Sequence, residues 1–393
     1  MRSFLVPSES IYLTPEHEAL REQVARFIAK EVEPVAEAWE AQGHVPREVL
    51  RKMGDLGFLG ITAPVEYGGA GADPLTNVVF AEALSQSTFG GFIVTVLVHT
   101  DMAGPHLVRA GSKLQLDRYL PKVLSGELIT AIAVTEPDAG SDVAAIRTRA
   151  RRDGDSWVLN GTKMFITNGV HGDLFFVAAR SDPDAALSNR GSRGISMFIV
   201  EKNTPGFRVG RALKKQGWLS SDTAELVFED CRIPAENLLG EESGGFYAIM
   251  QNFQNERVVL GAMAVGHVTQ AIRLALEHTM NRKAFGATLF DKQTIRQRLA
   301  MLEAKNEAAR QLLYHCGWLM SQQRDCVREV SMLKAFAGEL ANEATYTCQQ
   351  FHGGMGYMRE TAIERLVRDA RILSIGGGAT EVMLEEVAKR FTP

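Results

Sequence analysis

The sequence has no surplus of positive charge: 43 Lys and Arg against 47 Asp and Glu leave a net charge of −4. Nucleic acid is therefore excluded as the main partner, because nothing in the balance could displace phosphate counterions. Cysteine is scarce, and the four present (Cys231, Cys316, Cys326, Cys348) are scattered, without C-x-x-C spacing or a neighbouring histidine cluster. That argues against a disulfide framework or a metal site and for idle thiols in a reducing compartment, with the cytoplasm expected. No continuous apolar run reaches the ~18 residues of a membrane span, and the N-terminal residues lack the apolar centre of a signal peptide. No G-x-G-x-x-G follows a strand pattern, which disfavours a Rossmann-type dinucleotide site. Repeats and low-complexity tracts are also missing.

What is present is ordinary in bulk, 45% hydrophobic and 23% charged, and at 393 residues it predicts two or three domains. Residues 1–125 read as helical. Thr14-Pro15-Glu16 is a helix start, with Leu20, Val24, Phe27 and Ile28 at helical spacing behind it. Val49–Leu59 and Asn77–Ser87 continue the pattern, with a flexible Tyr67–Gly71 connection between them. From 126 to 237 short β-rich runs (Ile129–Val134, Ser156–Leu159, Leu174–Ala179, Ser196–Val200, Ala224–Phe228) alternate with Gly, Asp and Pro turns, predicting an antiparallel barrel or sandwich. From 238 to 393 long amphipathic segments near 245–282, 294–323 and 328–352, with shorter ones near 361–371 and 380–391, predict a helical bundle. The class expected is α+β, multidomain: helices, β-domain, bundle.

The most informative stretch is Ala133-Val134-Thr135-Glu136-Pro137-Asp138-Ala139-Gly140-Ser141-Asp142. A strand that breaks into Pro, Gly and small hydroxyl residues offers N–H groups and hydroxyls to something flat and polar, an ordinary turn being the alternative. It is joined by Lys163-Met164-Phe165-Ile166-Thr167-Asn168-Gly169 and by Gln350-Phe351-His352-Gly353-Gly354-Met355-Gly356-Tyr357. Gly376-Gly377-Gly378 follows one helical pattern and opens another at Ala379-Thr380-Glu381, where backbone N–H groups can receive a carbonyl or phosphate oxygen. Arg282 ends the first long helix and reads, by itself, as a C-terminal cation. Between Phe246 and Gly266 the charged residues are Glu256 and Arg257, adjacent and central. Met250, Phe253, Leu260 and Ala264 share a face with Arg257, so this helix is expected to be buried on most sides. A pair so placed is either a buried structural ion pair or the seat of an acid with a perturbed pKa.

Together these stretches, in this order, resemble the signatures of the acyl-CoA dehydrogenase family, and the likeness covers nearly the whole chain. It is nearest to the long-chain and isovaleryl types. The resemblance implies a helical N-terminal domain, a middle β-domain and a C-terminal four-helix bundle. It implies FAD as cofactor, an acyl-CoA substrate, an electron-transferring flavoprotein as electron acceptor, and a homotetramer. Ile132, Ala133, Val134, Thr135, Gly140 and Ser141 would line the flavin, with Phe165, Ile166 and Thr167 covering its ring. Many relatives carry Trp at the Phe165 position, and Phe keeps the apolar face without the indole N–H. Arg282, Gln293, Gln350, Phe351, His352, Gly353 and Gly354 would hold the adenosine-diphosphate end of a neighbouring subunit's FAD. The segment continuing into Ala379, Thr380 and Glu381 would meet flavin and thioester. Ser141, Ser192, Arg193, Tyr247, Gln254, Arg257, Gly377 and Gly378 would bind the substrate, with Phe92–His99 lining the acyl pocket.

Most relatives carry their catalytic glutamate where this chain has Gly377, and glycine cannot take a proton. A minority place it on the long helix instead, and Glu256 fits that arrangement. The implied reaction is α-proton abstraction by Glu256 and β-hydride transfer to flavin, giving a trans-2-enoyl-CoA, with the Gly377 N–H stabilising the thioester oxygen. A flavin-dependent monooxygenase and an acyl-CoA oxidase share the fold. Glu256 counts against the first, and the second differs in oxygen access rather than in its base.

Overall fold

Pro15 opens the first helix, as the sequence predicts. Thr14 is its extended N-cap (φ −119°, ψ 166°), and the Thr14 N–H donates to His17 Nδ1 at 3.0 Å. The structure, a computed structural model, describes residues 10–182 and 192–391. The N-terminal part holds α1 (Pro15–Phe27), α2 (Ala36–Gln42), α3 (Arg47–Asp55), α4 (Pro74–Leu84), α5 (Gly90–Leu97), α6 (Gly104–Ala110) and α7 (Lys113–Leu124). Helix α5 runs into α6 through a π-helical turn, Val98–Ala103. The C-terminal part holds α8 (Gly245–Asn281), α9 (Gln293–Ser321), α10 (Val327–His352), α11 (Ala362–Ala370) and α12 (Thr380–Ala388). Phe80 of α4, Val94 of α5, Met263 of α8, Leu313 of α9, Leu333 of α10 and Leu366 of α11 belong to one buried cluster. Helices from both ends of the chain therefore share a core, which a reading by sequence order does not show.

Two helical segments, Gly90–Ala110 and α8, are long and apolar enough to cross a membrane by length and composition. In each, 83% of the apolar window is buried inside the protein, so they are core helices. The sequence search for uninterrupted apolar runs passes over them because polar residues interrupt both.

The middle part is an eight-stranded sheet among the described residues: β1 (Thr130–Ala133), β2 (Arg149–Asp153), β3 (Ser156–Thr167), β4 (Leu174–Arg180), β5 (Ile195–Glu201), β6 (Phe207–Ala212), β7 (Thr223–Pro234) and β8 (Leu238–Leu239). The order β6-β7-β3-β2-β4-β5-β8, with β1 on β4, makes it a mixed sheet rather than a closed antiparallel barrel. β1 runs parallel to β4 from Thr130↔Leu174 to Ala133↔Val177, and β2 meets β4 in parallel at Arg149↔Arg180. Strand length and turn chemistry report that strands exist but not which way their partners run. All of β4 is buried, one face against a cluster that includes Leu120, Val134 and Ile249, the other against Trp157, Phe198 and Phe228. Covered on both faces, it reads as a continuous apolar run. The chain's cysteines are buried free thiols.

An ion cluster ties the N-terminal helices to the bundle. Glu82 of α4, 5% exposed, accepts from Arg21 Nη2 of α1 at 2.9 Å, from Arg310 Nε of α9 at 2.9 Å and from Tyr314 Oη of α9 at 2.5 Å. Glu82→Gln leaves two guanidinium groups facing a neutral amide. Arg21 keeps Glu18 and Arg310 keeps Glu307, so the loss is expected to be about 1–3 kcal/mol in denaturant unfolding, the usual penalty for weakened buried hydrogen bonds. Glu22→Gln, at an exposed pair on α1, should change little. Equal small losses for the two would refute the cluster's structural role.

Candidate active site

The end of β1 and the bulge in β3 form one surface. Met164 N–H donates to Thr135 O at 2.8 Å, which joins the first two signature stretches. Between Lys163 and Ile166 the register of β3 on β7 slips, and Phe165 sits in that bulge at φ +62°. A positive φ is unusual for an aromatic residue, and here it holds the ring outward, 67% exposed. The hydroxyls of Thr135, Ser141 and Thr167 make no hydrogen bonds among the described residues. An outward aromatic beside unpartnered hydroxyls fits a flat, partly polar ring such as isoalloxazine. Ile132 and Thr135 are half-buried, Ala133, Val134 and Ile166 buried, Gly140 and Ser141 exposed.

Two signature residues serve a different purpose. Lys163 is fully buried and donates from Nζ to Glu136 Oε1 at 2.7 Å and to Val134 O at 2.9 Å. Glu136 also accepts from the N–H groups of Arg147 at 2.6 Å and Thr148 at 2.9 Å. Burial lowers the Lys163 amine to about 8, against the pull of the Glu136 carboxylate. The pair pins the loop from beneath, so that Thr135 is placed without either charge reaching a ligand. The signal available in the sequence was a single Lys at an inward position of an apolar strand.

Glu256 lies on α8, 7% exposed. Among the described residues its carboxylate has no cation within ion-pairing distance, Arg257 included, which removes the alternative of a structural pair. Asn252, one turn earlier, donates to Oε1 at 3.2 Å. Burial pushes the Glu256 carboxyl up to about 8, with Asn252 and Arg257 opposing. The Arg257 guanidinium turns aside, 5.5 Å from the Phe253 ring. Gln254 is half-buried, and its Oε1 is a buried acceptor without a partner, suited to an amide N–H of a bound thioester arm. Tyr247 is 61% exposed at the start of α8. Ser192 and Arg193 lie just before β5, and the Arg193 carbonyl accepts from Arg180. Phe92–His99, expected to line an acyl pocket, are all buried in the packed core.

The glycine loop faces the same stripe of α8. Gly377 has φ +62°, and a Cβ placed on it would lie 2.1 Å from Leu260 Cδ1, one turn beyond Glu256. Gly378 (φ +103°) stands 3.6 Å by the same measure from Arg257 Nε. Lys334 of α10, 2% exposed, donates to Leu373 O at 2.6 Å and Gly378 O at 2.7 Å, gripping both ends of the loop. Ala379 caps α12; Thr380 donates to Glu339 Oε1 at 2.6 Å, and Glu381 is exposed.

The remaining expected cofactor residues gather elsewhere. Arg282 and His352 line a cavity of ≈ 560 Å³ with His278, whose ring stacks on His352 at 4.5 Å. Gln293, Gln350, Gly353 and Gly354 are exposed, and Phe351 packs partly against the core. Arg282 lies 26 positions beyond Glu256 along α8, about 39 Å at the helical rise. The structure thus does not bring the two groups of residues together within one chain.

Three family models match the chain: "Acyl-CoA dehydrogenase, N-terminal domain" over residues 14–127, "middle domain" over 131–231 and "C-terminal domain" over 243–392. The long-chain specific acyl-CoA dehydrogenase of Rattus norvegicus mitochondria is 40% identical over 378 residues, covering 96% of this chain and 86% of that one. The crystal structure of an acyl-CoA dehydrogenase from Geobacillus kaustophilus superposes with a TM-score of 0.93 at 39% identity, covering 98% and 100%. A chain described as the electron transferring flavoprotein of Acidaminococcus fermentans does so with 0.93 at 35% identity, covering 98% and 100%. With a helix-borne acid, an outward aromatic on a strand bulge and a glycine loop in the matched segments, the chain belongs to the acyl-CoA dehydrogenase family of FAD-dependent enzymes.

Proposed function

We propose that Glu256 is the base that removes the α-proton of a saturated acyl-CoA thioester, giving a trans-2-enoyl-CoA. The observation that carries this is a buried carboxyl without a cation, one helical turn from the residue that Gly377 overhangs. FAD, when bound, supplies the acceptor for the β-hydrogen and its electron pair. The Gly377 N–H, on a loop held by Lys334, stabilises the negative charge that develops on the thioester oxygen. Gln254 Oε1 and Arg257 hold the thioester arm, with Tyr247, Ser141, Ser192 and Arg193 at its outer end. Thr135, Ser141, Thr167 and Phe165 hold the flavin ring, and Ala379–Glu381 border it.

Long acyl chains are the proposed substrates, supported by the likeness to the long-chain specific enzyme of rat, with branched chains as the outcome to be tested against. Anaerobic titration with acyl-CoAs of graded length, isovaleryl-CoA included, reads this directly. An electron-transferring flavoprotein is the proposed acceptor, on the resemblance to the acyl-CoA dehydrogenase family whose models match the chain. The proposed setting is the cytoplasm, in keeping with four buried free thiols.

The proposed assembly is a homotetramer in which each flavin is shared between subunits. The ~39 Å from Glu256 to Arg282 supports this, because a dinucleotide cannot span that distance and a second copy must bring the distal residues. Arg282→Ala should weaken FAD retention and oligomerisation together, and an FAD-replete monomer of that variant would contradict the shared site.

Glu256→Gln should keep FAD and acyl-CoA binding while slowing flavin reduction by ~10²–10⁴-fold. Because the base works ionised, the wild-type rate should rise with pH through about 8. A carboxyl raised from 4.5 in the unfolded chain to about 8 in the folded one destabilises the fold progressively between those values. The Gln variant should therefore be no less stable at neutral pH. A folded, FAD-loaded Glu256→Gln protein that reduces its flavin at the wild-type rate ends the proposal.

Moving the base to the loop requires more than exchanging two residues. Glu256→Gly with Gly377→Glu drives a Cβ into Leu260 from a left-handed backbone, so it should recover little activity. Adding Leu260→Ala opens the space and should recover at least about tenfold more. Equal activity of the double and triple variants would show that Leu260 does not exclude the loop acid.

A further inference from the structure

Asn252 sits where three elements meet: α8, α6 and the π-helical turn. Its amide oxygen accepts from Arg109 Nη1 of α6 at 3.1 Å. Its amide nitrogen faces three acceptors: Met102 O at 3.0 Å, Asp101 O at 3.2 Å and Glu256 Oε1 at 3.2 Å. A cation on one side and three oxygens on the other fix which way the amide points. Met102 and Asp101 belong to the π-helical turn between α5 and α6, where the wider winding frees carbonyls from the regular ladder. Asn255 reinforces the same contact, donating to Asp101 O at 2.9 Å. Asp101 itself is buried, with Thr100 Oγ1 and Asn77 donating to its carboxylate. Asn252 is 1% exposed, so water does not compete for these bonds.

We propose that Asn252 is the positioning residue of the base, oriented by Arg109 and holding Glu256 by Oε1 so that Oε2 takes the substrate proton. This rests on Glu256 being that base. The donated hydrogen bond does two things. It fixes the carboxyl rotamer, because Asn252 is anchored to the π-turn rather than free on the helix. It also favours the ionised carboxylate over the acid. The Arg109 contact polarises the amide and strengthens the N–H as a donor. Oε2 accepts no hydrogen bond among the described residues, which leaves it for the substrate.

The charged and titratable groups around this point come from several elements: Arg257 on α8, Asp101 on the π-turn, His106 and Arg109 on α6, Lys334 on α10 and Glu386 on α12. Arg257 is the one whose charge acts on Glu256, and it is unchanged in the variants below.

The test is the pH profile of anaerobic flavin reduction by acyl-CoA in the holoenzyme, with thermal melting alongside. Asn252→Ala should displace the acid limb to higher pH, lowering the rate there about tenfold while the alkaline plateau stays within about twofold. A merely structural role would lower limb and plateau by the same factor, and that result, or an unchanged profile, overturns the proposal. Arg109 is exposed, so Arg109→Gln is expected to fold whatever becomes of Asn252→Ala. It should displace the limb in the same direction by about two- to threefold in rate, and Arg109→Lys should restore it. If Asn252→Ala does not fold, an unchanged profile in Arg109→Gln overturns the proposal and a displaced one restored by Lys supports it. Failure of the base assignment is read separately, since Glu256→Gln would then retain its rate.

Discussion

A carboxyl group buried in a helix without a counter-cation is the constraint on which the rest of this structure turns. Burial raises the proton affinity of Glu256, which suits the base it is proposed to be, and the same burial costs folding stability. Asn252 moderates that conflict with a hydrogen bond in place of a charge. A paired guanidinium would have held the carboxylate ionised and weakly basic. The side chain of Arg257, next in sequence, leans over Phe253 instead.

Around that acid the backbone is organised for close approach. Leu260 fills the volume that any side chain at 377 would need, and the loop above it takes left-handed conformations that suit glycine. Lys334 holds the loop by its carbonyls, and this buried amine is itself depressed to about 8 by burial and by the Arg257 charge, with Glu339 opposing. On the opposite side Glu136 and Lys163 hold the β1 loop in the same manner. Buried charges, Lys334 on one and the Glu136–Lys163 pair on the other, therefore hold both loops.

Much of this was legible in the sequence. The helix start at Pro15, the change to strands after residue 126 and the nearly uncharged helix around Glu256 follow from local chemistry, and the structure keeps all three, with β3 and β7 running to 12 residues each, longer than the short runs expected. The resemblance carried by Thr135–Ser141, Lys163–Gly169 and Gln350–Tyr357 named a family that the matched relatives share. Less legible were properties of pairing. Parallel β1 and β4 could not be told from antiparallel strands. Glu136 and Lys163, 27 residues apart, showed nothing in sequence of their contact.

By itself the sequence determined the order of helical and β-rich segments, the family and the presence of one adjacent acid–base pair, Glu256 and Arg257, in the otherwise uncharged stretch from Phe246 to Gly266. These depend on residue type and spacing, which are local. The tertiary structure decided whether that acid is paired, which neighbours tune it, and that Leu260 leaves no room for a side chain at position 377. Each of these is a distance between residues far apart in the chain or a direction taken by a side chain, and both exist only once the core has packed.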